Sequence, residues 1–272
     1  MRVCKYLRIQ LLVSFHGHDA TDKKLLQEYR RKYLKLFDGA SFIIPVSEDM
    51  KNKLINLGAK PDKLKVIPCG VDVTKFKPST ENIATNTFIA VGRFTRKKGP
   101  LYTIRAFYHV LEKHPEAKLV MIGGKSDLFI ECEKLVTELK IENSVRFTGV
   151  LNSSEVANLM KTSLAFVQHS VTAPNGDMEG TPVGILEASA SGLPVISTLH
   201  GGIKQAVIHE KTGFLVEEKD ENAMACFMMQ LLENPEKAKE MGKNGREHII
   251  ENYFQEKQIR KIYELAQLAI NS

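Results

Sequence analysis

Two groups of residues in this chain have the types and spacing to do chemistry. Directly after the apolar run TFIAVG (87–92) stands GRFTRKKGP, which places Arg93, Arg96, Lys97 and Lys98 in one loop between Gly92 and Gly99. Cations of this kind match phosphate oxygens, with charge-assisted bonds worth about 1.5–3 kcal/mol each when shielded from water, and glycine lets the backbone come close to a ligand. A solvated basic loop has the same composition, but a position immediately after a buried strand favours the phosphate reading. The second group is Glu179 and Glu187 in HSVTAPNGDMEGTPVGILEASASGLPVIST (169–198). The segment TPVGILEASASG reads as a helix with Pro182 in its first turn, so Glu179 stands in the preceding loop and Glu187 about two turns in. A carboxylate accepts hydrogen bonds from two sugar hydroxyls at once, and the helix start at Gly180, Thr181, Pro182 and Val183 offers amides to an anion.

A third segment is more ambiguous. Gly124-Lys125-Ser126 follows the run KLVMIG (118–123) in a strand, glycine, helix-start arrangement. It lacks the full spacing of the dinucleotide fingerprint and of the P-loop, and direct phosphate contact through Gly124 and a plain tight turn are both open.

These residues need elements to hold them. Strand-like runs occur at 11–16, 41–47, 65–70, 87–92, 118–123, 145–149, 164–170, 194–198 and 213–216. Most are separated by helical periods, as over 100–113, where Leu101, Ile104, Phe107, Val110 and Leu111 share a face. Regular alternation implies right-handed crossovers and a parallel sheet covered on both sides, hence an α/β, doubly wound fold. The polar stretch KFKPSTENIATNT (75–87) reads as a linker, with about three strands before it and about six after it. Residues from about 244 to the end read as one terminal helix that docks across a neighbouring domain.

Composition narrows the function. The chain has 272 residues, 38 Lys plus Arg against 32 Asp plus Glu, a net charge of +6 and 43% hydrophobic residues, an ordinary globular composition that excludes disordered, collagenous and disulfide-scaffold classes. Cys4, Cys69, Cys132 and Cys226 form no Cys-x-x-Cys pair, which fits a reducing cytoplasm. The basic balance points to anionic partners, yet no basic stripe interleaved with aromatics appears, so no nucleic acid is expected as a partner. No run reaches the ~18 apolar residues of a membrane span. The first fifteen residues mimic a short signal peptide, but HGHD follows the apolar run where a small-residue cleavage site would be, and a buried strand accounts for it better. KKLLQEYRRKYLKLF (23–37) sets Leu26, Tyr29, Tyr33 and Phe37 on one face with six cations around them. That pattern suits a helix on an anionic membrane surface and equally a half-buried helix.

EGTPVGILEASASGLPVIST followed by HGGIKQAVIHEKTGFLV resembles the signature of retaining GT-B glycosyltransferases of family 4. GVDVTKFKP and VGRFTRKKGP resemble the interdomain and phosphate-binding motifs of that family, in the expected order, and VTAPNGDMEGTP is most similar to exopolysaccharide enzymes of the colanic-acid and amylovoran type. The resemblance runs from about Phe15 to Val216. It implies that Arg93 and Lys98 grip the donor diphosphate and support the leaving group. Glu179 would touch the transferred sugar, and Glu187 would hold the ribose of the nucleotide. It also implies that His16, in SFHGHD, faces the donor sugar across the cleft, while Ser47 in VSEDM matches a serine near that cleft. Gly92, Gly124, Gly180, Thr181, Pro182 and Val183 complete the donor-binding set. One departure is visible: the family continues its glycine pair with Ile-Pro-Glu, where this chain has Gly201-Gly202-Ile203-Lys204-Gln205.

The architecture so implied is a partial N-terminal, acceptor-side Rossmann-like domain over residues 1–78, a complete C-terminal nucleotide-sugar-binding domain over 79–243, and a helix over 244–272 packing back. A complete enzyme of this type needs on the order of 350–400 residues, so the N-terminal half is expected to start near its fourth or fifth strand. The implied reaction moves a sugar, with retention, from a nucleotide-diphosphate sugar to a glycan or lipid-linked acceptor in surface polysaccharide synthesis. No carboxylate nucleophile is required, in contrast to retaining glycosidases. No Asp-x-Asp motif occurs, and neither a metal nor another cofactor is expected. The expected location is cytoplasmic, peripheral to the inner face of a membrane if helix 23–37 touches it. The alternative is a non-catalytic fragment that binds the donor alone. An epimerase or phosphorylase of the same shape would bring acid–base and pyridoxal-lysine motifs that are not seen.

Overall fold

The computed structural model describes residues 2–7, 9–79 and 86–271. Two parallel sheets organise it. The smaller pairs β1 (Leu12–Phe15) with β2 (Phe42–Pro45) in register from Leu12 opposite Phe42 to Phe15 opposite Pro45. The larger contains β3 (Thr87–Val91), β4 (Lys118–Ile122), β5 (Val145–Gly149), β6 (Ala165–Val167), β7 (Val195–Thr198) and β8 (Gly213–Val216), in the order β5-β4-β3-β6-β7-β8, all parallel. Among the helices, α1 (Arg2–Leu7), α2 (His18–Thr21), α3 (Lys23–Gly39) and α4 (Glu48–Asn56) accompany the smaller sheet. The larger sheet carries α5 (Pro100–Leu111), α6 (Phe129–Glu138), α7 (Ser153–Lys161), α8 (Val183–Ala190), α9 (Ile203–Ala206), α10 (Glu221–Glu233) and α11 (Pro235–Asn252), and α12 (Gln255–Asn271) closes the chain.

Strand order fixes where a ligand can sit. From β3 the chain winds outward to β4 and β5, then returns to the other side of β3 for β6, β7 and β8. The loops after β3 and β6 therefore diverge and leave a crevice at the carboxyl ends of those two strands. Alternating side chains build a core on each face of this sheet. Phe88 packs with Phe107, Leu119 and Phe214 on one side, and its neighbour Ile89 with Phe166, Ile185 and Val195 on the other. A third cluster of Phe15, Phe37, Ile43 and Leu54 backs the smaller sheet.

Three sequence expectations need correction. The run 65–70 is not a full strand: Leu64 bridges Ile43, and the Lys65 and Ile67 amides reach the Ile43 and Pro45 carbonyls, but β2 ends at Pro45 and the pairing stops there. The terminal region is two helices, not one. Asn234 caps α11 by accepting the Lys237 N–H, and after Tyr253 the backbone bonds across to Val71 before α12 begins. Pro182 lies one residue ahead of its helix as the N-cap, so Glu187 is the fifth residue of α8, little more than one turn in. Of the linker expected over 75–87, residues 80–85 lie outside the described residues.

Helix α3 shows how the smaller half is held. Asp22 caps it by accepting the Leu25 N–H at 2.8 Å. Tyr33 and Phe37 turn inward against Phe15, with ring centroids 5.7–6.0 Å apart, and the Tyr33 hydroxyl donates to the Asp19 carbonyl at 2.7 Å. The inner half of the predicted apolar stripe is thus occupied by protein, while Lys23, Lys24, Arg30, Arg31, Lys32 and Lys35 face solvent.

Candidate functional site

The basic loop leaves β3 through Gly92, whose φ of 152° suits glycine and where a Cβ would lie 2.7 Å from Lys98 Cδ. Phe94 anchors the loop between Phe129 and Phe147 at centroid distances of 5.1 and 5.6 Å. The fold then separates the four cations. Arg96 points outward to Glu131, Lys97 Nζ is 3.2 Å from Asp177 Oδ1, and Lys98 Nζ is 3.2 Å from Glu179 Oε1 and 3.4 Å from Gln168 Oε1. Arg93 is exposed, makes no side-chain hydrogen bond or ion pair among the described residues, and lines a hollow with Gly92, Lys98 and Gln168 between the ends of β3 and β6. A cavity of about 1490 Å³ opens at the other end of the sheet, where Pro194 and Leu164 precede β7 and β6, and contains none of these residues.

Glu179 is set into this crevice from the loop before α8. Its side chain is 9% exposed, and Lys98 is near enough for an ion pair but too oblique for a hydrogen bond, so the buried Oε1 keeps an unused acceptor. Burial pushes the carboxyl up, but the charges of Lys98 first and then Lys97 outweigh it and hold Glu179 ionised below its ordinary range. Its N–H donates to His200 Nε2 at 3.0 Å, and His200 Nδ1 lies 2.5 Å from Glu218 Oε1.

The next residues wedge against the smaller sheet. A Cβ on Gly180 would sit 2.1 Å from the His16 carbonyl, so only glycine allows this approach. The Gly202 N–H donates to the Gly180 carbonyl at 2.8 Å, and Thr181 Oγ1 donates to the Val46 carbonyl at 2.7 Å. Val183 is 43% exposed at the start of α8. Ser47 caps α4 by accepting the Met50 N–H at 3.2 Å, and its Cβ would lie 3.0 Å from a Cβ on Gly202. His16 directly follows β1 and is exposed, its ring 2.9 Å from Ser14 Oγ and 3.7 Å from Cys69 Sγ. Upstream, Asn175 Nδ2 donates to Asp22 Oδ2 at 2.7 Å, and the Met178 N–H donates to Thr21 Oγ1 at 3.1 Å, which ties this loop to α2 and α3.

The fold thus brings Gly92, Arg93, Lys98, Glu179, Gly180, Thr181 and the end of His16 to one crevice. No hydrogen bond or ion pair among the described residues joins Glu187 to Glu179, Arg93 or Lys98. Burial pushes its carboxyl up to about 7, against the opposing charge of Lys75. Gly124 packs near Val150, and its segment is not a helix start, because α6 begins only at Phe129. Sequence reasoning missed Gln168 and His200, which reach the cluster from the ends of β6 and β7. A histidine directly before the Gly201-Gly202 pair was the one available signal. Among the described residues no group of three or more His, Cys, Asp or Glu is arranged to hold a metal ion, and no helix is long and apolar enough to cross a membrane.

Residues 73–248 match the family model of glycosyl transferases group 1, and residues 1–75 match that of glycosyltransferase family 4. The chain belongs to the group 1 glycosyltransferases. It is 30% identical over 233 residues to the amylovoran biosynthesis glycosyltransferase AmsK of Erwinia amylovora, covering 85% of this chain and 57% of that protein. It is 32% identical over 228 residues to the putative colanic acid biosynthesis glycosyltransferase WcaL of Escherichia coli K12, covering 83% and 56%. The chain therefore spans little more than half the length of these relatives. Its fold matches Anabaena HepE, solved with UDP and glucose, at a TM-score of 0.85 with 22% identity over 96% of this chain and 72% of that one. It also matches sucrose-phosphate synthase of Thermosynechococcus elongatus at 0.82, with 25% identity over 100% and 72%. The chain thus carries the α/β parallel-sheet architecture of the GT-B enzymes.

Proposed function

We propose that the crevice at the ends of β3 and β6 binds a nucleotide-diphosphate sugar and that the protein transfers the sugar, with retention, to a glycan or lipid-linked acceptor in exopolysaccharide synthesis. The observation that carries this reading is the meeting of Lys98 and Glu179 at the switch point of the sheet, with Arg93 unpartnered beside them. The leaving nucleoside diphosphate gathers negative charge as its bond to the sugar breaks. Arg93 and Lys98 supply fixed positive charge where it develops, and the N-terminus of α8 adds a partial one. Lys98 has three donors, so it can donate to a phosphate oxygen while it keeps its pairing with Glu179.

Glu179, ionised and with an unused acceptor, takes hydroxyls of the transferred sugar. His16 faces that sugar from the smaller sheet, and Glu187 takes the ribose. Attack by the acceptor on the face the diphosphate leaves retains configuration without a carboxylate nucleophile, and the cations at the site suffice for a metal-independent reaction. The exposed cations of α3 would hold the protein at an anionic membrane surface on the cytoplasmic side. Because the chain spans little more than half of its relatives, donor binding without transfer is the second reading for this chain by itself.

Calorimetry with UDP, GDP and their sugars tests the first step. Arg93→Ala should weaken binding by about 1.5–3 kcal/mol, tenfold or more. Equal affinities for wild type and variant would remove the diphosphate assignment. Release of nucleotide from the donor in the presence of acceptor separates transfer from binding alone.

A further inference from the structure

Among the described residues His200 makes no hydrogen bond or ion pair to the basic loop and does not line the hollow, yet it is 1% exposed and both its ring nitrogens are engaged. Nε2 accepts the Glu179 N–H, so it carries no proton, and the neutral ring must be protonated at Nδ1, which donates to Glu218. Glu218 is itself held by the Thr172 N–H at 2.9 Å and Thr172 Oγ1 at 3.1 Å. A chain of bonds thus runs from the loop after β6, through a carboxylate and one tautomer of an imidazole, to the peptide that carries Glu179. Among the described residues the Glu179 side chain is held by its ion pair to Lys98 and its buried Oε1 has no hydrogen-bond partner, so the position of its carboxylate depends on that peptide.

We propose that His200, kept in one tautomer by Glu218, is a positioning residue that aims the Glu179 carboxylate at the sugar of the donor. The inference rests on the reading of Glu179 as the sugar-facing carboxylate. It follows that His200 acts on the sugar and not on the diphosphate, which Arg93 and Lys98 hold. A displacement near 1 Å at such a group is enough to cost on the order of 100-fold in rate.

The test compares His200→Leu, His200→Gln and Glu218→Ala by calorimetry with UDP and GDP and with their sugars. The quantity read is the ratio of the affinity for the nucleotide sugar to that for the bare nucleotide. Glutamine places Oε1 where Nε2 stood and can accept the same N–H, so His200→Gln should keep the wild-type ratio. His200→Leu and Glu218→Ala should bind the bare nucleotide within about twofold of wild type and reduce the ratio at least fivefold, because a misplaced Glu179 loses the sugar alone. Equal loss for nucleotide and nucleotide sugar, or failure of glutamine to restore the ratio, overturns the positioning role while the Glu179 reading stands. A wild type that binds neither UDP, GDP nor their sugars takes down that reading and this inference with it. If His200→Leu does not fold, Glu218→Ala against His200→Gln decides on the same ratio, since Glu218 is partly exposed and its loss leaves no large cavity.

Discussion

Glu187→Gln should stabilise the fold at neutral and alkaline pH and leave it unchanged in acid. The carboxyl titrates near 4.5 in an unfolded chain, and burial on α8 pushes it up to about 7 in the fold. Below pH 4.5 both states hold the proton, and glutamine is a near-isosteric replacement for the neutral acid. As pH rises past 4.5 the unfolded chain releases its proton first, so the wild type loses stability until the folded carboxyl ionises near 7. Above that the deficit is constant, and at about 1.36 kcal/mol per pKa interval it reaches about 3 kcal/mol at most. Urea melts of wild type and Glu187→Gln at pH 4.5, 6 and 8 read the difference directly, because every other titrating group is common to both proteins. A gap that is the same at all three pH values would refute the reasoning, since it would mean that Glu187 is not buried in the way described.

Further outcomes follow from the same structure. If Glu187 takes the ribose hydroxyls, ligand binding favours its ionised form, and calorimetry at pH 6 in buffers of different ionisation enthalpy should show proton release that Glu187→Gln abolishes. Lys98→Met leaves the buried Glu179 carboxylate without its main partner and should cost about 3–5 kcal/mol in a denaturant melt. Adding Glu179→Gln should recover most of that loss, and purely additive effects would deny the ion pair. Thr21→Val removes the acceptor of the Met178 N–H and should cost about 1–3 kcal/mol, with faster amide exchange across the loop before Glu179 if that bond holds it. Vesicles with anionic lipid should bind the protein at low salt and release it at high salt. Changing Arg30, Arg31 and Lys35 on α3 to glutamate should abolish the binding, at about 1 kcal/mol per cation lost, whereas an unchanged affinity would exclude this face.

The local elements were legible because their signals are local. The runs at 87–92, 118–123, 145–149 and 213–216 became β3, β4, β5 and β8 with nearly the expected bounds, since a buried strand between turn residues announces itself within a few positions. The failures share one cause. The 65–70 run has the apolar content of a strand, but whether it joins a ladder depends on a partner strand, and β2 ends at Pro45. The break between α11 and α12 exists because distant Val71 binds the backbone there, which no periodicity reports.

By itself the sequence determined which residues could bear charge toward a phosphate and which carboxylates could face a sugar, and the motif spacing already marked the family. Only the tertiary structure decided their partners. Parallel strand order places the loop after β3 against the loop before α8, and so pairs Lys98 with Glu179 and leaves Arg93 open. The same packing half-buries Glu187 on α8 and brings His200 under the Glu179 peptide. These are contacts between segments far apart in the chain, set by how helices and sheets close over one another, and a one-dimensional pattern of apolar and polar residues records only that a side chain is buried, not what it is buried against.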